Sequence, residues 1–348
     1  MEKTFFNLRE LWRGGEDYVR HRIPGMIVTN KGTLIVYNEA RQAGDDWALM
    51  DILMQRSEDC GKTFSEPMIL ARGNDEHRTV NNPVMMQDKN GRIHFLYCED
   101  YTVNGGRALR RYSDDDGITW SEPIDVTEFT NPEFHNAWAF GPGHGIATKD
   151  GTLVVPVWMV PKYHEVPIHS HDPSVISTFY SKDNGETWAV GDILDTNSRI
   201  LSPNETVAAL TSDGGVYLNI RFKGYCRAKA YSENGYSAWR DYAPDYSLPD
   251  PQCFGSVAVY DDGEYPYTLI FANCAVKSGR HHVTVRASTD DGKTYPVSKL
   301  IDAERGGYVE VAVDSKAKLI YVLYENKFGE TDHLATFNYE WLTGDSKF

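Results

Sequence analysis

The chain has 348 residues, of which 41% are hydrophobic and 24% are charged, and its formal net charge at pH 7 is −15. This length and composition are typical of a globular protein with a sizeable buried core. The negative charge argues against nucleic acid or an anionic membrane surface as the main partner. An anionic substrate would need arginines concentrated in one place.

The cysteines and the N-terminal sequence bear on the compartment. The five cysteines are an odd number without metal-site spacing, which predicts reduced thiols rather than a disulfide framework. Residues 1–10 contain no apolar stretch long enough for a signal peptide, and no segment is long enough to span a membrane. We therefore expect a cytoplasmic protein, or a secreted one if a leader peptide has been removed.

The first informative segment combines an arginine, a strand and an acidic loop. Arg22-Ile-Pro-Gly precedes a predicted strand over residues 32–41, which ends in Arg41. The loop that follows contains Asp45, Asp46 and Asp51 ahead of a second predicted strand. We expect Asp51 to begin that strand, whereas Asp45 and Asp46 are both candidates for a functional carboxylate.

The pattern Ser-x-Asp-x-Gly-x-Thr-aromatic recurs along the chain. Copies occupy residues 57–64, 113–120, 181–188 and 288–295, and a degenerate copy occupies residues 232–239. In each copy a predicted strand runs into an Asp-x-Gly turn, where the Asp side chain can accept from the following backbone amides and Gly can take a positive φ. Such spacing predicts a repeat architecture, because one unit cannot bury its apolar face without neighbours.

A histidine-rich stretch interrupts the middle of the chain. Residues 159–173 contain three histidines and an aspartate, His164, His169, His171 and Asp172. These are usual metal ligands, so a metal site is one interpretation. The other is a polar loop at the mouth of a pocket. We favour the loop, because the chemistry proposed below requires no metal.

The second half of the chain carries the remaining candidates. Glu205 and Arg221 are separated by the length of one hairpin. Arg280 opens a predicted strand that leads into the last repeat, and Tyr308 and Glu325 lie on the strands after it. Taken alone, each could be an ordinary surface or strand residue.

Together these motifs resemble the sialidase family over nearly the whole chain. The repeat resembles the Asp box, which closes hairpins on the rim of a propeller, and the Arg-Ile-Pro, Asn-Glu and Leu-Tyr-Glu motifs match at residues 22–24, 204–205 and 323–325. The resemblance implies an all-β fold, a six-bladed β-propeller that forms a single catalytic domain over residues 1–348. Five boxes leave one blade without a box, and we expect the N-terminal strand to complete that blade by pairing with C-terminal strands. Val309 departs from the family, where many relatives have Ser.

The resemblance also implies a role for each candidate. Three arginines would bind the substrate carboxylate: Arg22, Arg221 and Arg280. Arg41 would lie on the O4 side of the sugar, and Asn82 would border the pocket for the N-acyl and neighbouring groups. The implied catalytic residues are Tyr308 as nucleophile, Glu205 as its base and Asp46 as acid and base, with Glu325 orienting Arg22.

These roles are chemically consistent. A sialic acid carries a carboxylate on its anomeric carbon, and arginines supply a planar, permanently charged clamp for it. A carboxylate nucleophile would be repelled there, whereas a neutral tyrosine is not. The predicted function is therefore a retaining exo-α-sialidase that acts on sialylated oligosaccharides or glycoconjugates through a glycosyl-tyrosine intermediate. We expect no cofactor, no metal, no nucleic-acid partner and no membrane insertion.

Two alternatives remain open from the sequence. Asn82, whose amide can donate as well as accept, and the 159–173 loop are compatible with a same-fold glycosidase for another ulosonic acid such as Kdn. They are equally compatible with an intramolecular trans-sialidase that releases an anhydro sugar. The second alternative is a non-catalytic glycan-binding propeller, which would be expected to have lost some catalytic residues, and none is missing.

Overall fold

The computed structural model describes residues 4–100, 106–134, 137–162 and 171–344, and its regular secondary structure is almost entirely antiparallel β-strand. Within these residues the strands form six four-stranded groups, here called blades. Blade 1 contains β2 (Arg20–Val28), β3 (Leu34–Arg41), β4 (Met50–Ser57) and β5 (Met68–Arg72). Blade 2 contains β6 (Val80–Gln87), β7 (Ile93–Glu99), β8 (Arg107–Ser113) and β9 (Ile124–Asp125). Blade 3 contains β10 (Ala137–Phe140), β13 (Leu153–Val160), β14 (Val175–Ser181) and β15 (Ala189–Val190).

The remaining blades are joined by one long strand. Blade 4 contains β16 (Thr206–Leu210), β17 (Val216–Ile220), β18 (Cys226–Ser232) and β19 (Arg240–Pro249). Blade 5 contains β20 (Ser256–Tyr260), β21 (Thr268–Cys274), β22 (His281–Ser288) and the first part of β23 (Val297–Asp314). Blade 6 contains the second part of β23, β24 (Leu319–Asn326), β25 (Thr331–Asn338) and β1 (Phe6–Arg13). Because β23 spans 18 residues, it is the outer strand of blade 5 and the inner strand of blade 6.

A few short elements lie outside this pattern. β11 (Gly143–His144) pairs in parallel with β6, and β12 (Ile146–Ala147) pairs with β13. Two 3-10 turns, Thr127–Phe129 and Pro132–Phe134, follow β9, and a short helix α1 (Tyr339–Thr343) follows β25. None of the described helices is long and apolar enough to cross a membrane.

The blades form a closed circuit around a central axis. Contacts between neighbouring blades run in blade order: β2 contacts β6, β6 contacts β10, and blade 3 contacts β16 through β13. The circuit continues from β16 to β20 and from β20 to β23, which returns to β2. Strands near the axis, such as β3 and β13, are buried along their whole length, since each face packs against a neighbouring blade. The outer strands β1 and β9 are largely exposed. The predicted all-β six-bladed propeller is confirmed.

The five repeats occupy equivalent places on the rim. Each connects the third strand of a blade to the fourth, in blades 1 to 5. In the third copy, Asp183 accepts from the backbone and hydroxyl of Thr187 at 2.9 and 2.6 Å, and Ser181 Oγ accepts from the Gly185 amide at 2.8 Å. Gly185 has φ +83°, as the turn requires.

Blade 6 has no such turn because of its connectivity. Its third strand, β25, is covered by β1, which comes from the other end of the described chain, so no hairpin joins the two. The pairing runs from Phe6 opposite Phe337 to Arg13 opposite Thr331. The prediction that the N-terminal strand completes the blade without a box is confirmed.

Candidate active site

The site begins at an irregularity in β2. The pairing of β2 with β3 shifts register between Arg22 and Gly25, and Ile23 adopts φ +55°. A bulge of this kind redirects a side chain at the end of a sheet. Arg22 therefore reaches blade 6, where its Nε donates to Glu325 Oε1 over 2.7 Å. The Arg22 side chain is 11% exposed and that of Glu325 is fully buried, so this ion pair lies in the seam between the first and last blades.

Glu325 also positions the backbone of two neighbouring strands. Its Oε1 accepts from the Ile23 amide at 3.0 Å, and its Oε2 accepts from the Tyr308 amide at 3.1 Å. The carboxylate fits because residue 307 is glycine, where a Cβ atom would lie 2.1 Å from Oε2. Burial opposes the charge of Arg22, but Glu325, Tyr308 and Asp46 together outweigh it and raise the pKa of Arg22.

A second cluster lies at the end of the first hairpin of blade 4. Thr206 pairs with Ile220, so Glu205 and Arg221, which flank this pair, lie side by side. The Tyr308 hydroxyl donates to Glu205 Oε1 over 2.5 Å. Arg221 Nη1 donates to Glu205 Oε2 and, over 2.8 Å, to the Tyr308 oxygen. Three residues from two distant parts of the chain thus form one hydrogen-bonded group.

The Tyr308 phenol is neutral in this environment. Burial, and after it the negative charge of Glu205, raises the pKa of Tyr308 well above its ordinary value, and Arg221 and Arg280 offset only part of that effect. A neutral phenol that donates to a carboxylate can transfer its proton along the existing hydrogen bond when its oxygen attacks an electrophile.

Arg280 completes a set of three guanidinium groups around this tyrosine. It lies directly before β22, and its guanidinium carbon is 5.4 Å from the centroid of the Tyr308 ring. The guanidinium carbon of Arg22 lies 5.5 Å from the same centroid. Arg280 Nη2 also donates to the Gln252 carbonyl at 3.5 Å, and the Phe254 ring packs 5.7 Å from Tyr308. Positive charge is therefore concentrated here in a protein whose net charge is −15.

Arg41 lies at the end of β3 between two carboxylates. Its Nε and Nη2 donate to Glu39 Oε2 at 3.0 and 2.5 Å, and its Nη1 donates to Asp46 Oδ1 at 2.5 Å. The Arg41 side chain is 3% exposed, whereas that of Asp46 is 49% exposed. Partial burial opposes the charge of Asp46, but Arg41 and then Arg22 hold the pKa of Asp46 below its ordinary value.

Asn82 lies beside this group on the second blade. It has φ +51° at a register shift in β6 and is buried. Its backbone amide donates to Glu39 Oε1 at 2.8 Å, and its Nδ2 donates to the Phe140 carbonyl at 3.1 Å. One side-chain amide hydrogen is therefore already engaged within the protein.

Aromatic side chains surround the approach to Asp46. The His171 ring meets the Trp158 ring edge to face at 5.0 Å and the Trp47 ring at 6.1 Å. Burial lowers the pKa of His171, while the charges of Glu205 and Asp46 act in the opposite direction. The end of the histidine-rich stretch thus lies near the acidic loop.

The metal hypothesis concerned four residues of that stretch. His164 and His169 lie outside the described residues. Among the residues that the structure does describe, no group of three or more His, Cys, Asp or Glu side chains could hold a metal ion.

The structure brings nine predicted site residues together in two clusters. The first surrounds Tyr308 and contains Arg22, Glu205, Arg221, Arg280, Tyr308 and Glu325. The second surrounds Asp46 and contains Arg41, Asp46 and Asn82, and the charge of Arg22 also acts on it. Asp45, the alternative to Asp46, accepts from the Trp47 amide at 2.8 Å in a local turn. Asp51 lies at the start of β4, as expected. It is buried and accepts from the Tyr18 hydroxyl at 2.7 Å. On β22, the strand that follows Arg280, Arg286 Nη1 donates to Asn273 Oδ1 at 3.0 Å.

Sequence reasoning missed several residues that line or support these clusters. Glu39, two residues before Arg41 on the same strand, could have been inferred from that spacing, since alternate residues share a face. Trp47 directly follows Asp46 and could have been inferred from adjacency. Phe254 and Trp158 come from strands and loops with no distinguishing local pattern.

Comparisons with known proteins agree with this geometry. Residues 51–322 match the family model described as a BNR repeat-like domain. A sialidase of Bacteroides fragilis is 28% identical over 349 residues, covering 90% of this chain and 61% of that protein. Sialidase-2 of Rattus norvegicus is 30% identical over 268 residues, covering 69% of this chain and 68% of that protein. The structure of a Hadza microbial sialidase superimposes with a TM-score of 0.82 at 27% identity, covering 92% of this chain and 66% of that one.

Proposed function

The chain belongs to the sialidase family, and from this premise we propose that it is an exo-α-sialidase that releases terminal α-linked sialic acid with retention of configuration. The observation that carries the proposal is the Tyr308 hydroxyl bonded to Glu205 among three guanidinium groups. That combination suits an electrophilic carbon that itself bears a carboxylate.

The three arginines would bind the carboxylate. Arg22, Arg221 and Arg280 come from different blades and converge on Tyr308, so they can clamp one anion from several directions. Glu325 holds Arg22 in place before substrate arrives. Pre-orientation of this kind reduces the ordering cost of binding.

Tyr308 would act as the nucleophile. As its oxygen forms a bond to the anomeric carbon, its proton passes to Glu205 along the 2.5 Å hydrogen bond. The glycosidic bond breaks and a glycosyl-tyrosine intermediate forms. The arginine charges also stabilise the phenolate character that develops on Tyr308 in the transition state.

Asp46 would handle the proton on the leaving-group side. In its protonated form it would donate to the departing oxygen, and as a carboxylate it would then activate the water that hydrolyses the intermediate. Its half-exposed position beside Trp47 and His171 is compatible with an aglycone and a water molecule arriving from solvent. Two displacements at one carbon give net retention.

Proton NMR of hydrolysis tests both activity and stereochemistry. With the 4-methylumbelliferyl α-glycoside of N-acetylneuraminic acid, we expect fluorophore release and the α-anomer of the free sugar as the first product. A β-anomer formed first would contradict the retaining mechanism. An anhydro sugar as product, which differs from the free sugar by the loss of one water, would instead identify an intramolecular transferase.

The same assay identifies the preferred sugar. The Kdn glycoside, which carries a hydroxyl in place of the N-acyl group, should be turned over more slowly than the N-acetylneuraminyl glycoside. Turnover of the Kdn substrate alone would assign the activity to the other ulosonic acid. No turnover of either substrate, with binding of both, would indicate a glycan-binding propeller.

A further inference from the structure

The acid proposed for the leaving group is held in a form that cannot act as an acid. Asp46 Oδ1 accepts from Arg41 Nη1 over 2.5 Å in the ligand-free protein. A carboxylate in such an ion pair is ionised at neutral pH, whereas protonation of a departing oxygen requires the neutral carboxylic acid. The first step therefore needs a change at Asp46 that the free protein does not provide.

The geometry indicates which partner is free to change. Two of the three donor nitrogens of Arg41 are fixed by Glu39, a buried carboxylate on the same strand. Only Nη1 is directed toward the Asp46 loop, where it donates to Asp46 and, at 3.3 Å, to the Asp45 carbonyl. Arg41 is 3% exposed and Asp46 is 49% exposed, so the aspartate can move while the arginine stays in place.

Binding of an anionic sugar would weaken both interactions that keep Asp46 ionised. The Arg22 guanidinium also stabilises the charged form of Asp46, and a substrate carboxylate bound to Arg22 would neutralise that field. A ring hydroxyl that accepts from Arg41 Nη1 would replace Asp46 there. The titratable and charged groups that face or flank Asp46 are Arg22, Arg41, Glu39, Asp45 and His171.

We propose that sugar binding itself converts Asp46 into the acid: the bound carboxylate and one ring hydroxyl engage Arg22 and Arg41, and the released Asp46 carboxylate takes a proton from solvent. The proton is then available to the leaving oxygen, and the carboxylate regenerated by that transfer serves as base in the second step. This inference rests on the proposed function. It implies that the ring hydroxyl bound by Arg41 is needed for acid catalysis as well as for binding.

Proton uptake on binding measures this directly. Uptake occurs at pH values above the pKa of Asp46 in the free protein and below its pKa in the complex, since only there does the group differ in protonation between the two states. Calorimetric titration with N-acetylneuraminic acid in two buffers of different ionisation enthalpy, between about pH 4 and 6, gives the number of protons taken up. We expect up to one proton in wild type.

Matched variants separate Asp46 from its neighbours. Asp46→Asn should bind the sugar without that proton, whereas Asp45→Asn and His171→Gln should retain it. Among monodeoxy analogues of the sugar, the one that lacks the hydroxyl engaged by Arg41 should bind with markedly less uptake. Binding by wild type without uptake, or equal uptake by Asp46→Asn, would overturn the inference alone. Absence of binding would overturn the proposed function and the inference with it.

Discussion

The rim turn at residues 181–188 and the Tyr308 site both place a carboxylate beside a hydroxyl, and they use it differently. In the turn, Asp183 accepts from the Ser181 hydroxyl and from both the amide and hydroxyl of Thr187, all within one hairpin. In the site, Glu205 accepts from a tyrosine 103 residues away and pairs with Arg221. The turn is complete in itself, whereas the site exists only when separate blades meet.

The difference shows how this molecule divides stability from chemistry. The aspartate at the third position of each complete rim turn accepts from donors within the same turn. Glu205 and Glu325 are buried beside cations and a phenol, an arrangement that favours charge redistribution when a ligand arrives. Substitutions on the rim should therefore change the free energy of unfolding, and substitutions in the site should change turnover.

The largest expected effect distinguishes the buried Tyr308 from Tyr295, which is partly buried. Tyr308→Phe should lower kcat/KM for the aryl sialoside by at least about a thousandfold, because it removes the attacking oxygen. Tyr295→Phe, in the last rim turn, removes only a 3.3 Å hydrogen bond to Tyr217 and should leave kcat/KM within about twofold. Steady-state fluorescence assays measure both. If kcat/KM fell by a similar factor in both variants, the loss in Tyr308→Phe would be structural and not due to a missing nucleophile.

A second comparison uses two arginines near each other in sequence. Arg280→Lys should raise KM by about 10- to 100-fold, since lysine cannot reproduce planar carboxylate recognition. Arg286→Lys disturbs a buried hydrogen bond to Asn273 and should lower the melting temperature with little effect on KM. Equal KM values for the two variants would exclude Arg280 from the carboxylate clamp.

A pH series tests the rim itself. Partial burial opposes ionisation of Asp115, but hydrogen bonds from Thr119 and Ser113 lower the pKa of Asp115 to about 2. Because this pKa lies below the unfolded value of about 3.9, the contribution is present above about pH 4 and is lost as the pH falls through about 2. The difference in melting temperature between wild type and Asp115→Asn should thus narrow below about pH 4. A constant difference would contradict this assignment.

The smallest effect concerns the degenerate repeat. Asn234 replaces the aspartate there, and its Oδ1 accepts from the amides of Tyr236 and Ser237 at 3.0 and 2.9 Å. Asn234→Asp should stabilise the fold by a few tenths of a kcal/mol by making these bonds charge-assisted. Chemical denaturation measures the gain, and kcat should not change. Destabilisation would show that the Asn234 Nδ2 bond to Ser237 Oγ matters more.

The fold was largely predictable because its signals are local. Each rim turn occupies eight consecutive residues, so its hydrogen bonds can be inferred without tertiary information, and five copies imply the blades. The blade without a rim turn was also predictable, because five turns in a six-bladed propeller leave one blade without one. The placement of Asp51 in β4 was also predictable, since a buried strand begins there.

The site was predictable only through family resemblance. The distance between Glu205 and Tyr308 depends on how blade 4 faces blade 6, and no periodicity encodes that. The ion pair of Arg41 with Asp46 depends on the conformation of an exposed loop, and the Trp158 to His171 contact joins a strand to a loop end. These contacts arise from inter-blade packing, which sequence spacing does not determine.

The contact between blade 1 and blade 6 also sets the order in which the protein can become active. Arg22 and Glu325 are 303 residues apart, and they meet only when the first blade closes against the last. During synthesis, blades 1 to 5 can form before β24 and β25 emerge, but the carboxylate clamp cannot. Closure of the propeller and formation of the substrate site are therefore a single late event. Binding of an anion by a refolding sample would show that blade 1 has closed against blade 6.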